Sequence, residues 1–379
     1  YTTLFRSLLG SAWPSMYGGL HVPMSFAGII SMIIAGGTII SSLFSDRLIK
    51  KLGTGKVTTL SVCMTAVALF GFSISNSFVM LCLWAIPYGL GAGSVDAALN
   101  NFVALHYKAK HMSWLHCFWG IGATLGPYIM GFCLTRGMLW NAGYRFIFII
   151  QICLTTILIF SMPLWKKNST ETDEKQKTAK GLSIKELVKL PGAKSVLVAF
   201  FSYCALETTT GLWGSSYMVM ERGISANEAA MWISLFYLGI TVGRFLCGFI
   251  TMEIGDKNMV RLGQGIAVLG IIALLLPLGK STLCAGFVLI GMGCAPIYPS
   301  LLHATPDNFG KDLSQAIMGM QMACAYIGST FMPPLFGLIA EHISIKLYPF
   351  YLIIFVVLMI CMVENLNRTK VIPKNEYNM

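Results

Sequence analysis

This sequence predicts an all-α polytopic membrane protein with two pseudo-symmetric six-helix bundles. The chain has 379 residues, of which 55% are apolar and only 11% are charged, whereas about a quarter of the residues in a soluble domain are charged. Apolar runs long enough to cross a bilayer recur at even spacing. The second half of the chain also repeats glycine and proline spacings of the first half, which indicates an internal repeat.

Taken in order, the apolar runs predict twelve crossings, the first of them truncated. Residues 1–7 look like a translated sequencing adaptor, and the apolar stretch that follows them is shorter than the roughly 20 residues that a crossing needs. The N-terminal bundle is expected over residues 8–165 and the C-terminal bundle over residues 195–366. The remaining crossings are expected at residues 25–45, 57–75, 78–105, 113–134, 144–165, 195–219, 227–251, 259–278, 282–303, 315–340 and 344–364.

The polar segments between and after the bundles predict the orientation of the chain. Residues 166–194 are expected to form a linker with a short helix from Ser183, and residues 367–379 a tail. Most Lys and Arg residues fall in the loops of one side, the linker and the tail. Because positive loops stay on the cytoplasmic side, both termini are expected there, in a multi-pass protein of the cell membrane.

The two halves share three sequence patterns. The pattern Gly-x-Thr-x-x-Pro-x-x-x-Gly occurs once in the fifth predicted helix and once in the eleventh. The pattern Gly-x-Gly occurs in both the fourth and the tenth helices. The second and eighth helices are aligned by the same shift in residue number as the fifth and eleventh. The residues that begin these pairs are Gly122 and Gly328, Gly89 and Gly291, and Gly37 and Gly243. Parallel repeats with a site at their interface are typical of transporters.

Composition and motifs exclude several other classes of function. The net charge of +11 is concentrated in loops, so it is a topology signal and does not predict nucleic-acid binding. The eleven cysteines lie in or beside apolar runs without a Cys-x-x-Cys spacing, which favours packing over metal or disulfide chemistry. Hydrolase, phosphate-loop and metalloprotease motifs are absent, so we expect neither an enzyme nor a cofactor.

Two acidic residues, Asp96 and Glu207, lie well inside predicted crossings, one in each half. A carboxylate near the middle of a membrane costs several kcal/mol, so such a residue predicts a functional site. Burial favours the protonated form of a carboxyl group, which suits both residues for proton coupling. Asn100 follows Asp96 by one helical turn and shares its face. The alternative is that each acid only holds helices together.

Four stretches resemble the fucose–galactose–glucose:proton symporter branch of the major facilitator superfamily. They are residues 89–101, residues 116–127, Tyr203-x-x-x-Glu207-x-x-x-Gly211-x-Trp213, and residues 291–300. The loop that contains Asp46 and Arg47 also resembles the cytoplasmic signature of the superfamily, although Ser42 and Ile49 replace its usual glycines. The resemblance implies a gating role for Asp46, Arg47 and Arg244, the last of which lies in the second copy of the signature.

Polar and aromatic residues deep in the crossings are the candidate substrate ligands. Aromatic faces, amides and carboxylates suit a polar, uncharged ligand such as a sugar. The candidates are Asn100, His116, Trp119, Tyr203, Glu207, Trp213, Tyr298 and Gln321. For His116, a proton relay and an ordinary interfacial role both stay open.

The sequence therefore predicts a secondary active transporter of a small polar solute, a sugar, by proton symport with alternating access. Its expected partners are the substrate, the proton and the lipid bilayer, and the chain is expected to act as a monomer. Two alternatives stay open: a proton-coupled efflux antiporter for drug-like or metabolite substrates, and a non-transporting sensor derived from a carrier.

Overall fold

The computed structural model describes residues 2–23, 26–167 and 182–369. These residues form helices joined by short turns, with no strand among them. In chain order the helices are α1 (Thr2–Met16), α2 (Ala27–Leu52), α3 (Thr54–Ile74), α4 (Phe78–His106), α5 (Ala109–Thr135), α6 (Trp140–Lys167), α7 (Ile184–Lys189), α8 (Ala193–Met220), α9 (Ala226–Leu275), α10 (Lys280–His303), α11 (Thr305–Phe309), α12 (Lys311–Ile339) and α13 (Tyr348–Arg368). A π-helical turn, Ala340–Ser344, and a 3₁₀ turn, Ile345–Leu347, join α12 to α13.

The membrane crossings follow from the lengths of these helices. Within the described ranges, nine stretches are long and apolar enough to cross a membrane. Two of them, Met231–Leu275 with 45 residues and Lys311–Arg368 with 58, are each long enough for two crossings. The predicted all-α polytopic fold is confirmed. Helix α1 has 15 residues and spans about 22 Å, which is less than the thickness of the hydrocarbon core.

The chain divides into two compact units. The first comprises Tyr1–Phe102 and Ile121–Gly181, and the second comprises Val103–Gly120 and Leu182–Met379. The second unit therefore takes in the start of α5, which the predicted bundle boundary at residue 165 assigns to the N-terminal half. Tyr1, the middle of the predicted linker at 168–181 and the tail from residue 370 lie outside the described residues. The predicted helix after Ser183 is confirmed: Ser183 caps α7 and exchanges hydrogen bonds with Glu186.

Each unit has its own apolar core. In the first unit, Leu8 and Trp13 of α1 are buried beside Phe72, Tyr88 and Tyr144. In the second unit, α8 packs against α12 and α13, and the two halves of α9 pack against α10. The ring of Tyr348 there stacks on Tyr217 with 4.9 Å between centroids, and its hydroxyl donates to the carbonyl of Thr210. The helix faces that pack into these cores are not available for a site.

Close helix contacts at glycines repeat between the two units. In the first unit, a Cβ on Gly91 of α4 would lie 2.7 Å from the carbonyl oxygen of Ser61 in α3. In the second, a Cβ on Gly293 of α10 would lie 2.7 Å from the carbonyl oxygen of Gly263 in α9. One shift in residue number relates Gly91 to Gly293 and Ser61 to Gly263, so the helix packing itself is duplicated.

This packing corrects one part of the predicted repeat. Gly37 of α2 faces Gly89, and the residue that faces Gly291 in the second unit is Gly239, not Gly243. The shift between the second and eighth crossings is therefore one helical turn shorter than the sequence pattern indicates. A shift by one turn returns a residue to nearly the same helix face, which is why the glycine spacing alone did not distinguish the two alignments.

A single glycine in an extended, positive-φ conformation joins two consecutive helical segments in each unit. Gly53, with φ 80° and ψ 155°, joins α2 to α3. Gly255, with φ 76° and ψ 164°, interrupts α9 and separates its two halves. Few residues other than glycine adopt this conformation, because a Cβ would clash with the backbone. The shift that relates Gly91 to Gly293 also relates Gly53 to Gly255, so the joint recurs in both units.

Candidate functional site

The second unit brings five of the predicted site residues together around a sixth, Arg244. Tyr203 and Glu207 are one turn apart on α8, so they lie on the same face of that helix. His116 and Trp119 are on the first part of α5, and Arg244 is in the first half of α9. Tyr298 of α10 completes the group. We call these six residues, His116, Trp119, Tyr203, Glu207, Arg244 and Tyr298, the Arg244 cluster.

Arg244 is a buried cation with few hydrogen-bond partners. Only 3% of the surface of Arg244 is exposed. Its Nη1 donates to the carbonyl oxygen of His116 at 3.3 Å, and its Nη2 donates to the hydroxyl of Tyr203 at 3.3 Å. Its Nε is buried without a hydrogen-bond partner. A guanidinium group has five N–H donors, so this one retains capacity to bind a further group.

The charge of Arg244 is balanced by Glu207. The Nη2 atom of Arg244 and the Oε2 atom of Glu207 are 3.9 Å apart, and the Glu207 residue is 9% exposed. At this separation the two charges attract each other without a direct hydrogen bond. The pair is neutral when Glu207 is ionised and carries one positive charge when Glu207 is protonated.

Aromatic rings surround this ion pair. The guanidinium carbon of Arg244 lies 4.8 Å from the ring centroid of Trp119, which is a cation–π contact. The ring of Tyr298 contacts His116 at 4.9 Å and Tyr203 at 5.5 Å between centroids. The Nε2 atom of His116 is buried without a hydrogen-bond partner. The ion pair therefore lies in a mostly apolar environment that contains a few polar atoms.

The start of α5 packs tightly against the first half of α9. A Cβ on Gly120 would lie 2.5 Å from Oγ1 of Thr241, and the indole of Trp114 covers Gly248. The Sγ atom of Cys117 lies 3.6 Å from the carbonyl oxygen of Thr241. These small residues let α5 approach α9 closely enough for Arg244 to reach the His116 carbonyl. Thr241 belongs to none of the sequence stretches singled out above, and Cys117 lies in one of them without having been a candidate ligand.

Two further predicted ligands of the second unit have structural partners. The indole N–H of Trp213 donates to the carbonyl of Pro333 at 2.8 Å, and its ring packs edge-on against Phe336. The side chain of Gln321 is fully buried and bonds to the hydroxyl of Thr305 at 3.1 Å. Both residues lie deep in their helices as expected. Their polar groups, however, bond to neighbouring helices: Trp213 to α12 and Gln321 to α11.

The predicted acid of the first unit is on α4. Asp96 is half-buried, and Asn100, one turn later, is 4% exposed. Their helix also carries Gly89 and Gly93, where the backbones of α2 and α4 come close. A polar pair on such a tightly packed helix has a fixed orientation, because the helix cannot rotate without a clash.

The predicted gating residues occupy different surroundings. In the first unit, Asp46 bonds to Lys50 at 2.9 Å, and the guanidinium of Arg47 lies 5.3 Å from the ring centroid of Phe44. Both of these contacts are local to the end of α2. In the second unit, Arg244 is buried within the helix and faces Glu207, so it has a charge partner that its position in the signature does not predict.

The Arg244 cluster can perform two kinds of chemistry. A buried carboxyl group can bind and release a proton. Tyrosine hydroxyls, a carboxylate and aromatic faces can together hold a ligand rich in hydroxyl groups. Both functions depend on Glu207, because it is the only acid in the cluster.

Comparison with known proteins identifies relatives across nearly the whole chain. A family model described as Major Facilitator Superfamily matches residues 1–225 and 195–370. The chain is 24% identical over 353 residues to the uncharacterized transporter y4wD of Sinorhizobium fredii, covering 91% of this chain and 90% of that protein. It is 21% identical over 335 residues to the glucose/mannose transporter GlcP of Bacillus subtilis, covering 86% of this chain and 82% of that protein.

The solved structures give the same result for the fold. A crystal structure of the fucose:proton symporter FucP of E. coli matches with a TM-score of 0.79. The alignment covers 97% of this chain and 96% of that chain at 14% sequence identity. At this identity the likeness shows a shared fold and does not carry over a substrate.

Proposed function

Because the chain belongs to the Major Facilitator Superfamily, we propose that this multi-pass membrane transporter carries a sugar in symport with protons. A small-molecule substrate and embedding in a membrane follow from the family. Our proposal concerns three further points: that the substrate is a sugar, that protons are its coupling ion, and that both move in the same direction. The observation that carries it is the buried pair of Glu207 and Arg244, 3.9 Å apart, with the hydroxyl of Tyr203 beside it.

The pair supports proton coupling through a change of charge. While Glu207 is ionised, Arg244 is attracted to it and stays balanced. When Glu207 binds a proton, Arg244 becomes an uncompensated buried cation, which is costly in a low-dielectric surrounding. Arg244 also holds the carbonyl of His116 and the ring of Trp119 on α5. Protonation of Glu207 therefore changes the force between α9 and α5 within the second unit.

The composition of the cluster supports a sugar as the substrate. Sugars present hydroxyl groups on their edges and apolar C–H faces, so they bind through hydrogen bonds together with aromatic contacts. Tyr203, Tyr298 and Trp119 provide rings, and Glu207 provides acceptor oxygens. The likeness to a glucose/mannose transporter and to a fucose:proton symporter agrees with this chemistry.

The remaining parts of the proposal rest on the sequence. We expect Asp96 and Asn100 of the first unit to act as the second polar pair of the transport path, and Asp46 and Arg47 to act in gating. The distribution of Lys and Arg supports cytoplasmic termini in the cell membrane. We expect the monomer to be sufficient for transport, since each unit has a core of its own.

Uptake by proteoliposomes that contain the full chain tests this function. Radiolabelled glucose and fucose are offered with the outside acidic, and we expect accumulation that a protonophore abolishes. Glu207→Gln is expected to abolish accumulation while sugar exchange across the membrane persists. Glu364→Gln is the matched control, because Glu364 pairs with Arg261 at a more exposed position and is expected to leave accumulation unchanged.

Three results would contradict proton symport. Accumulation by Glu207→Gln equal to that of the unaltered chain would remove the proposed coupling residue. Accumulation driven only by a gradient of the opposite sign would indicate proton-coupled export. Saturable binding of the sugar without any flux would indicate a sensor.

A further inference from the structure

An apolar groove with a charged rim lies on the second unit, apart from the Arg244 cluster. It has a volume of about 680 Å³. Its rim is formed by Glu228, near the start of α9, and Lys280, the first residue of α10. Its walls include Trp232, Val288 and Leu289. None of these residues contributes to the proposed transport chemistry.

Glu228 precedes the candidate span Met231–Leu275 and Lys280 begins the candidate span Lys280–His303, so we expect the groove to run from the membrane boundary toward its interior. From Lys280 to Leu289 the helix α10 rises about 13 Å. This length is enough to lie beside the part of an acyl chain that is nearest the headgroup. Trp232 is one turn from Glu228, and tryptophan is enriched at the level of lipid headgroups. The groove therefore has a polar end at the headgroup level and an apolar end among the acyl chains.

The rim presents one negative and one positive group in a fixed arrangement. The Nζ atom of Lys280 and the Oε2 atom of Glu228 are 3.2 Å apart. The hydroxyl of Ser225 also donates to Oε2 of Glu228 at 2.9 Å, as part of the capping box of α9. The hydrogen bond from Ser225 and the ion pair with Lys280 hold the pKa of the Glu228 carboxyl below its ordinary value. Glu228 is thus ionised at neutral pH.

We infer that this groove binds a phospholipid with a zwitterionic headgroup, phosphatidylethanolamine. A phosphate next to an ammonium is complementary in charge to a lysine next to a carboxylate. Lys280 has three N–H donors and Glu228 has two acceptor oxygens, so each can bind the headgroup while they remain paired. One acyl chain then lies along Val288 and Leu289.

Charge and hydrogen bonding favour ethanolamine over other headgroups. The ammonium of ethanolamine donates hydrogen bonds to Glu228, whereas the quaternary ammonium of choline has no N–H. Phosphatidylglycerol offers a phosphate to Lys280 but places its negative charge beside Glu228 without a cation. The groove is therefore expected to rank ethanolamine first, choline second and glycerol last.

Quenching of tryptophan fluorescence by brominated lipids tests this ranking. The full chain is placed in nanodiscs with increasing fractions of dibrominated phosphatidylethanolamine, phosphatidylcholine or phosphatidylglycerol. The signal of Trp232 is the difference between the unaltered chain and Trp232→Phe. We expect half-maximal quenching of Trp232 at a several-fold lower fraction of the ethanolamine lipid, unchanged between pH 5.5 and 8 because Glu228 stays ionised.

Variants at the rim separate headgroup binding from general contact with lipid. Lys280→Gln and Glu228→Gln are each expected to remove the preference for ethanolamine while quenching by all three lipids persists. Lys346→Gln is the matched control, since Lys346 pairs with Glu221 on the same unit at 3.6 Å but does not line the groove. It is expected to keep the preference.

Equal quenching by the three lipids would overturn the inference, as would a preference for phosphatidylglycerol. A preference that survives both rim substitutions would also overturn it. The melting temperature of each variant shows that the fold is intact. Because the readout is lipid binding, the result does not depend on the proposed transport activity.

Discussion

At the scale of single residues, the ion pair of Arg244 and Glu207 is expected to contribute strongly to stability. Both side chains are buried, with side-chain exposures of 4% and 11%. Removal of one partner from a buried pair typically costs about 3–5 kcal/mol, because the other charge is left without compensation. We therefore expect the same two residues to affect both stability and the proposed transport.

A double-mutant cycle should reveal this coupling. We expect Arg244→Gln and Glu207→Gln each to lower stability, and the double variant to lose less than the sum of the two by about 1–3 kcal/mol. Denaturant-induced unfolding of the purified chain, followed by fluorescence, measures the free energy of unfolding of each variant. Strictly additive losses would show that the two charges do not interact in the folded protein.

The acid of the first unit gives a second prediction. Asp96→Asn should abolish sugar accumulation while exchange persists, because the variant keeps the polar contacts of the residue but loses its proton. Uptake and exchange in proteoliposomes measure the two activities separately. Asn100→Ala is expected to lower the affinity for the sugar without loss of coupling. Accumulation by Asp96→Asn that still follows the pH gradient would remove Asp96 from the mechanism.

At the scale of helices, glycine contacts determine how closely the crossings pack. Gly91 on α4 and Gly293 on α10 meet carbonyl oxygens of the neighbouring helix at the same distance. Backbone oxygens cannot rotate away as a side chain can, so a methyl group in this position forces the helices apart. Helix packing in membranes depends on such contacts, because lipid offers little hydrophobic force between helices.

Alanine at Gly293 should therefore destabilise the second unit. We expect a loss of about 1–3 kcal/mol for Gly293→Ala, since its Cβ would lie 2.7 Å from the oxygen of Gly263. Gly265→Ala on α9 is the matched control, because no atom lies within 4 Å of its Cβ. The control should be neutral or gain up to about 1 kcal/mol from helix propensity. Thermal unfolding in detergent measures both, and equal effects would exclude packing as the cause.

At the scale of the whole molecule, the sequence predicts the fold better than the site. Apolar runs and repeated glycines report the number of crossings and the duplication, because each signal is local. The contact of Glu207 with Arg244 joins α8 to α9, and its distance depends on how the helices pack, which a single sequence does not encode locally. Trp213 and Gln321 illustrate the same limit: their depth is predicted, but their partners, Pro333 and Thr305, are not.

The orientation of the whole chain gives a prediction of its own. In a cysteine-free background, Met138→Cys should react with a membrane-impermeant maleimide added to intact cells. Lys51→Cys should react only after the membrane is permeabilised, because it follows the positively charged signature of α2. The reverse pattern would place the termini outside and would contradict the orientation inferred from Lys and Arg.

The single-glycine joints at Gly53 and Gly255 are two copies of the same backbone feature within one protein. The backbone of Gly53 has φ 80° and ψ 155°, and that of Gly255 has φ 76° and ψ 164°, so alanine imposes nearly the same local strain at either place. Any difference between the effects of the two substitutions then measures the surroundings of each joint and not the joint itself. One polypeptide thus offers a matched comparison that ordinarily requires two homologous proteins.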